Sequence, residues 1–398
     1  MKYIFLLIFS ISIPFYSCTT SKNMDYNQRS SGHYKLYSFP NKIKTSFDQD
    51  RYKRLVIISS NNFEGNIREK EYRIKNNLDE KRVLKSGGLS AMKTYSDIFR
   101  KEYNDNVMHI DSGSFLDSEK NHLYTVFLYN YLNVDAATIG YSELNLKKKN
   151  QGFFEYFNLI TRKNKFNLTI SNLFNLKNVK PVDLKNVKTS HMQTINGLKV
   201  GFVGIIPKSL LTKTSKSQIN GVYIQNEAKH IIKKSNMLRR SGADIVLLGI
   251  SSSIDCTSQK AHELEINESK VNFNPNDSTH CDSFNNELVN ILNLLPKNAV
   301  DVVVTSGKKS KVANKIMGYP VMQNEGQGQY LSWIELFYDT KLHRVSKEMT
   351  RIHQPVKLCH NFIKSTLDCY TKEDLNNEEI MPATFLGHKV IIKSAPIY

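Results

Sequence analysis

The chain alternates short apolar runs with amphipathic segments, and this alternation constrains its fold more than any other feature. The runs are rich in β-branched residues, which is typical of buried strands. The segments between them carry apolar residues at helical spacing. Alternating elements of this kind predict an α/β fold. The predicted strands cover 54–59, 107–111, 135–139, 167–171, 198–205, 244–248 and 300–305, and the predicted helices cover 89–99, 122–132, 226–239 and 286–295.

Antiparallel strands are added to this pattern. Asn196-Gly197 separates the runs 192–195 and 198–205, and this dipeptide favours a two-residue hairpin. Two later runs, 320–323 and 331–338, flank a glycine-rich turn. The sheets are therefore predicted to be mixed.

The N-terminus has the features of an export signal. Lys2 precedes an apolar run that is too short to span a bilayer comfortably. Phe15-Tyr16-Ser17-Cys18 resembles the lipobox of bacterial lipoproteins, and Thr19 resembles the residue found in lipoproteins sent to the outer membrane. We predict that 1–17 is a lipoprotein signal peptide, that Cys18 is lipidated, and that the chain is anchored in the cell envelope. A plain secretory signal with an incidental cysteine is the alternative.

The rest of the chain divides by composition. Residues 18–52 are polar and lack apolar periodicity, so we predict a flexible tether. The alternating elements occupy 53–344, which we predict to be the main domain, and a polar insertion lies at 253–285. Residues 345–398 have weak periodicity and are predicted to be an extension packed on that domain.

Four cysteines remain after Cys18, which agrees with an oxidising compartment. They fall into two local pairs, and this favours the disulfides Cys256–Cys281 and Cys359–Cys369 among three connectivities. A zinc site is the alternative, but the closely spaced cysteine pairs of such sites are missing.

The formal net charge of +18 favours an anionic partner, such as lipid headgroups or lipopolysaccharide, or a protein of the envelope. The lysines are scattered through the chain and do not form a basic stripe with interleaved aromatic residues. Nucleic-acid binding is therefore not favoured.

Five polar segments follow the predicted strands, and in order they resemble the metal-holding motifs of one enzyme family. Asn61-Asn62-Phe63-Glu64-Gly65 is similar to Asn-Asp-x-His-Gly, and Asp111-Ser112-Gly113-Ser114 to Asp-x-Gly-Asp. Gly140-Tyr141-Ser142-Glu143 is similar to Gly-Asn-His-Glu. Ile250-Ser251 stands at a Ser-His motif, and Gly307-Lys308-Lys309 at a Gly-His-x-His region.

The chain thus resembles the calcineurin-like metallophosphoesterase domain of 5′-nucleotidases and UDP-sugar hydrolases, over about residues 54–340. This resemblance implies a four-layer α/β/β/α sandwich with mixed sheets. It also implies two divalent metal ions and phosphate-ester hydrolysis. Related nucleotidases carry a second domain that stacks the nucleobase, and 345–398 is too short to supply one.

The family's metal ligands are nevertheless replaced. The positions that the resemblance assigns to them hold Asn62, Glu64, Ser114, Tyr141, Ser251, Gly307 and Lys309. The catalytic histidine and its orienting aspartate would stand at Ser142 and Asn145. Hydroxyls and amides are weak donors to a divalent cation, and an ammonium group repels it. We therefore predict no catalytic residue, no bound metal and no other cofactor.

Three hypotheses about function follow. In the first, the chain is an inactive homologue that acts as a binding or scaffold protein, and Lys308 and Lys309 hold an anion in the old cleft. In the second, it is a hydrolase with a remodelled single-metal site for Mn or Zn, built from Glu64, Asp111 and Glu143. In the third, it is a structural envelope lipoprotein without a ligand.

Overall fold

The computed structural model describes nine parts of the chain. They are 46–75, 81–117, 122–146, 153–214, 221–254, 286–307, 310–364, 369 and 380–394. Cys18, the Cys256–Cys281 pair, Lys308 and Lys309 lie outside the described residues, so the predictions made for them stay predictions. Seven helices lie in the described ranges: α1 (Leu89–Glu102), α2 (His122–Tyr131), α3 (Tyr141–Leu144), α4 (Phe153–Thr161), α5 (Lys208–Lys213), α6 (Glu227–Arg240) and α7 (Glu287–Asn293).

The larger sheet of the described region is mixed. Its strands, numbered in chain order with all others, are β1 (Tyr52–Ser60), β4 (Val107–Asp111), β5 (Ala136–Ala137), β6 (Asn167–Thr169), β8 (Val187–Lys188), β16 (Tyr330–Asp339), β17 (Arg344–Val345) and β18 (Arg351–Lys357). The order across the sheet is β17, β16, β1, β4, β5, β6 and β8, and β18 also pairs with β16. Strands β1, β4, β5, β6 and β8 are parallel, whereas β16 is antiparallel to β1.

The second sheet combines a parallel centre with antiparallel edges. Its strands are β9 (His191–Ile195), β10 (Leu198–Ile205), β12 (Ile245–Ile250), β13 (Val302–Thr305), β14 (Val312–Ile316) and β15 (Tyr319–Gln323). The order is β14, β15, β13, β12, β10 and β9. Asn196 and Gly197 join β9 to β10 with φ of 50° and 68°, so both adopt the left-handed conformation that the predicted two-residue hairpin requires.

Four short two-stranded sheets complete the described part and were not predicted from the sequence. They pair β2 (Lys70–Lys75) with β3 (Lys81–Ser86), β7 (Leu173–Asn175) with β11 (Val222–Ile224), β19 (Asn361–Ile363) with β20 (Ile380–Pro382), and β21 (Thr384–Phe385) with β22 (His388–Lys389).

The two large sheets are packed face to face. Alternate residues of a strand point to opposite faces of its sheet and therefore enter different cores. Leu55 and Ile57 of β1 lie in a core shared with Phe202 of the second sheet. Val56 and Ile58, on the other face of β1, lie in a core shared with α1, α2 and α4. A third core lies between the second sheet and helices α6 and α7. This arrangement is the predicted four-layer α/β/β/α sandwich.

Side-chain caps explain where two of the predicted helices begin. Asn226 precedes α6, and its side chain accepts a hydrogen bond from the backbone N–H of Lys229. Asn286 precedes α7 and accepts in the same way from Leu288. These bonds satisfy N–H groups that the first turn of a helix leaves without an acceptor.

The strand predicted at 135–139 is shorter in the structure, where β5 contains only Ala136 and Ala137. The chain leaves the parallel ladder at Thr138, whose hydroxyl donates to the Thr169 carbonyl at 3.1 Å. The residues that follow therefore form a loop at the edge of the sheet.

The described part of the C-terminal extension is joined to the main body. Strand β18 pairs with β16, and Cys359 and Cys369 form a disulfide. The Tyr95 hydroxyl of α1 donates to the Cys359 carbonyl and accepts from its N–H, each at 3.1 Å. Phe385 packs against the rings of Tyr95 and Phe99. Of the helices in the described ranges, none is both long and apolar enough to cross a bilayer.

We expect the extension to unfold together with the main body. Phe385 is fully buried, so Phe385→Ala should lower the free energy of unfolding by about 3–5 kcal/mol through lost burial and a cavity. Urea denaturation, followed by the fluorescence of Trp333, measures this free energy of unfolding. The Trp333 ring lies 5.2 Å from that of Phe99 and so reports on the main body. Ile391→Ala, at a position 62% exposed, is the matched control and should shift the value by no more than about 0.5 kcal/mol. A Trp333 transition unaffected by Phe385→Ala would show that the extension unfolds separately.

Candidate functional site

Five polar loops lie at one edge of the two sheets. They follow the carboxyl ends of β1, β4, β5, β12 and β13, and parallel strands bring such ends to the same edge. We number them in chain order as the first loop (61–65), the second (112–114), the third (138–143), the fourth (251–252) and the fifth (306–307). All five contain segments singled out in the sequence.

The first loop contacts the second and the fifth. The backbone N–H of Asn62 donates to the Gly113 carbonyl, and that of Glu64 donates to the Ser114 carbonyl, both at 3.0 Å. The side-chain amide of Asn61 donates to the Gly307 carbonyl at 3.1 Å. The first loop is therefore the link between the two sheets.

The remaining contacts close the loops into a ring. Gly140 of the third loop lies so close to its neighbours that a Cβ there would clash with the Oγ atoms of Ser114 and Ser251. The hydroxyls of Ser251 and Ser306 lie 3.2 Å apart, within hydrogen-bond distance. The backbone N–H of Ser306 donates to the Ser252 carbonyl at 3.0 Å. The five segments thus meet at one place on the edge of the two sheets, and we call this place the cleft.

The residues at the family's ligand positions differ in how they face this cleft. Asn62, Ser114 and Ser251 are buried, Glu64 is half-buried and Tyr141 is 45% exposed. Asn62, Glu64 and Ser114 all have positive φ, of 45°, 51° and 59°. Asparagine adopts this left-handed conformation readily, whereas it is uncommon for glutamate and serine, so the strained backbone of the first two loops is at Glu64 and Ser114.

The positions of the general acid and its partner carry no acid–base group. The hydroxyl of Ser142 donates to Glu143 at 2.9 Å. The amide of Asn145 donates to the Tyr141 carbonyl at 2.8 Å. Gly307 has no side chain, and a Cβ there would clash with Gln323. These residues serve local structure.

Glu143 fastens the second loop to the third. Its carboxylate is fully buried and accepts from the backbone N–H groups of Ser114 (2.8 Å), Leu116 (2.8 Å) and Gly140 (2.7 Å), as well as from the Ser142 hydroxyl. Burial raises the pKa of Glu143, and the hydrogen bonds oppose that change. Two donors bind each oxygen, so the carboxylate is occupied by the protein itself.

Asp111 is held in the same way at the base of the second loop. One carboxylate oxygen accepts from the hydroxyls of Ser60 (2.6 Å) and Tyr129 (2.9 Å), and the other accepts from the Gly113 N–H (2.8 Å). Burial raises the pKa of Asp111 to about 7. His109 lies 3.3 Å from the Ser60 hydroxyl, and burial lowers its pKa to about 3, so it is a neutral residue of the core.

The side chains of this cleft do not fit two metal ions. A dinuclear site needs several carboxylate and imidazole ligands, including one that bridges the ions. Within the described ranges, no three His, Cys, Asp or Glu side chains lie close enough together to hold a metal. The motif resemblance assigns Ser114 to the bridging position, and the carboxylates of Asp111 and Glu143 accept from hydroxyl and N–H donors.

Sequence reasoning missed Asn324, a further organiser of the cleft. Its side-chain amide donates to the Ser59 carbonyl (3.2 Å) and the Ser332 hydroxyl (3.1 Å), and its backbone carbonyl accepts from Asn61 at 2.9 Å. The available signal was its place directly after the strand predicted at 320–323.

Comparison with known proteins identifies the fold. No protein-family profile and no curated protein matches the sequence. Among solved structures, the NAD nucleotidase NadN of Haemophilus influenzae is similar over 77% of this chain and 50% of its own, at 14% identity and a TM-score of 0.51. A putative 5′-nucleotidase of Staphylococcus aureus is similar over 77% of this chain and 54% of its own, at 13% identity and a TM-score of 0.53. The calcineurin-like phosphoesterase YfkN of Bacillus subtilis is similar over 77% of this chain and 90% of its own, at 15% identity and a TM-score of 0.52.

This likeness shows the fold that the motifs predicted. The chain has the calcineurin-like metallophosphoesterase fold in the form found in 5′-nucleotidases. It spans about half the length of the first two of these proteins.

The raised pKa of Asp111 predicts a pH dependence of stability. From its ordinary value of 3.8 up to about 7, the folded chain retains a proton that the unfolded chain releases. The free energy of unfolding should therefore fall with rising pH in this window, by at most about 1.4 kcal/mol per unit, and Asp111→Asn should remove that contribution. Urea denaturation at a series of pH values compares the two chains. Glu155→Gln, which alters an exposed carboxylate of α4, should leave the wild-type profile unchanged. Profiles of wild type and Asp111→Asn that run parallel would refute the assignment.

Proposed function

We propose that this chain is a binding or scaffold protein of the bacterial cell envelope, built on a phosphoesterase fold that no longer hydrolyses phosphate esters. The observation that carries the proposal is the composition of the cleft. The five loops converge as the fold requires, but among the positions that the resemblance assigns to metal ligands only Glu64 carries a carboxylate, and the others hold hydroxyl, amide, ammonium or backbone groups.

The chemistry of these groups supports an inactive cleft. Hydrolysis at a dinuclear site depends on metal ions that activate water and stabilise the developing charge. Neutral oxygen donors such as Ser114 and Asn62 hold such ions weakly, and Ser251 bonds to Ser306. The Ser142 hydroxyl, at the position of the general acid, donates to a buried carboxylate and cannot replace an imidazole at neutral pH.

The retained shape of the cleft supports a role in binding. Hydrogen bonds between protein groups connect the loops around the cleft, and Glu64 and Ser114 have the left-handed backbone that is uncommon for their residue types. Such strain is concentrated at functional sites in folded proteins. The hydroxyl and amide lining suits a ligand recognised by hydrogen bonds, and Lys308 and Lys309 would favour an anion there.

The proposed location rests on the sequence of the N-terminus. Lipidation at Cys18 would tether the chain to the membrane surface, and Thr19 favours the outer membrane. The tether 18–52 would then carry the folded body away from the anchor, on the periplasmic or the outer face. The net charge of +18 agrees with an anionic or protein partner in the envelope.

Metal content and hydrolysis test the inactive cleft together. We expect substoichiometric Mn and Zn in the purified chain and after incubation with either ion, because the donors other than Glu64 are neutral or already occupied and a single carboxylate holds such an ion weakly. We also expect no hydrolysis of nucleotides or p-nitrophenyl phosphate above a mock preparation. Elemental analysis and phosphate release measure these quantities, with the Bacillus subtilis phosphoesterase as the positive control.

Glu64→Gln separates this proposal from the single-metal alternative. That alternative requires Glu64 as a ligand, so the substitution would reduce both bound metal and activity. Our proposal predicts that wild type and Glu64→Gln are indistinguishable. One metal ion per chain, with hydrolysis that disappears in Glu64→Gln, would refute the inactive cleft.

Lipidation is tested in a bacterial host given an alkyne-tagged fatty acid. The wild-type chain should incorporate the tag and remain in the membrane fraction, whereas Cys18→Ser should incorporate none. Ser17→Ala keeps a small residue before the cysteine and is the matched control. Labelling that persists in Cys18→Ser would rule out this anchor.

A further inference from the structure

The turn at 175–180, between β7 and the segment that leads to β8, carries two exposed aliphatic side chains. Leu176 is 61% exposed and Val179 is 62% exposed. Most large apolar side chains of the described part are buried, and exposed ones are usually scattered singly. Here two of the most exposed lie three residues apart on one turn.

The turn has a defined conformation. Leu176 N–H donates to the Gly221 carbonyl at 2.8 Å, and Asn175 N–H donates to the Lys180 carbonyl at 2.9 Å. The Val179 N–H donates back to the Asn175 carbonyl at 3.0 Å. The side chain of Asn175 also accepts from the Lys177 N–H at 2.8 Å. The two aliphatic side chains are therefore presented by hydrogen-bonded backbone.

Val179 has an unfavourable conformation for its residue type. Its φ is 56°, in the left-handed region where β-branched residues are genuine outliers. Asparagine or glycine would adopt this conformation with less strain. Because the side chain is largely exposed, little burial within the protein offsets the strain. The strain and the exposure together make Val179 a candidate for a contact outside the folded chain.

The charge around the two aliphatic side chains indicates what that contact is. Lys177 and Lys180 lie in the same turn, both exposed, and the nearest acidic residue along the chain is the exposed Asp183, beyond the turn. Aliphatic side chains flanked by lysines suit an anionic membrane, because the chains enter the interface while the ammonium groups meet lipid headgroups. We propose that this turn is a membrane-docking element that inserts Leu176 and Val179 into an anionic lipid surface.

Docking through this turn would bring the cleft close to the membrane. Strand β7 follows Asn172, whose side chain accepts from the Ile206 N–H at 3.0 Å and donates to its carbonyl at 2.8 Å. Ile206 directly follows the carboxyl end of β10, which is the edge that carries the five loops. Asn172 precedes Leu176 by only four residues, so docking through the turn would place this edge close to the bilayer. The proposal requires neither the inactive cleft nor lipidation at Cys18.

A tryptophan probe in the full chain tests the insertion. The sequence contains one tryptophan, Trp333, which is fully buried and gives a constant background. In Leu176→Trp, the added indole should be quenched by brominated lipids in vesicles of phosphatidylcholine with phosphatidylglycerol. Leu294→Trp is the matched control, because Leu294 is 64% exposed but belongs to the helix layer on the outer face of the second sheet. The indole at position 294 should not be quenched, whether the chain is held on the vesicle by the turn or by a lipid anchor.

Substitutions in the turn test the charged and the aliphatic parts of the contact with lipid separately. In the Leu176→Trp background, Lys177→Ala and Lys180→Ala should each weaken the apparent affinity for anionic vesicles about fivefold. Val179→Asn should weaken it as well, while leaving the midpoint of thermal unfolding unchanged or higher because strain is relieved. That combination distinguishes a lost contact from misfolding.

Two results would overturn the proposal. The first is an indole at position 176 that remains unquenched on anionic vesicles, which is also the result expected if a protein partner covers the turn. The second is equal quenching at positions 176 and 294, which would indicate unspecific adsorption. Quenching that is the same on pure phosphatidylcholine and insensitive to both lysine substitutions would refute the anionic part. None of these outcomes affects the measurements of metal content and hydrolysis, so the docking proposal and the proposed function can fail independently.

Discussion

The buried carboxylate of Glu143 accepts hydrogen bonds from backbone N–H groups of both the second and the third loop, and the shape of the cleft depends on this contact. An unpartnered carboxylate in such a position would be strongly disfavoured, so its four donors must stay in place. They fix Gly140 against Ser114 and Ser251, which brings the third loop to the fourth. The Asn61 amide then donates to Gly307 of the fifth loop and to the Asn324 carbonyl, which connects the first loop to both.

This network explains how the loops of a metal-binding fold can converge without metal ligands. Hydrogen bonds between hydroxyls, amides and backbone groups hold the loops of the two sheets together. The buried carboxylates of Asp111 and Glu143 belong to this network, because they accept from protein donors and fasten loops. If the loop-bearing edge is brought close to a bilayer by Leu176 and Val179, a ligand or partner would be met at the membrane surface.

Much of the fold could be read from local patterns, and the failures have physical causes. The buried strands and the helices begun by Asn226 and Asn286 are marked by composition and capping residues. Strand β18 was missed because its pattern is weak and its stability comes from pairing with β16. Strand β5 was predicted too long because its end is set by a contact of Thr138 with β6. The described residues include neither Lys308 nor Lys309, so the anion site stays a prediction.

By itself, the sequence determined the α/β class, the order of the main buried strands and of four helices, and the chemical character of each loop, because these depend on residue type and on spacing along the chain. It also indicated that the ligand positions hold poor metal donors. The tertiary structure alone decided that the five loops form a closed ring and that Asp111 and Glu143 are buried among protein donors. It also decided that Val179 is strained on an exposed turn. These features depend on which distant residues meet when the sheets pack, and spacing along the chain does not contain that information.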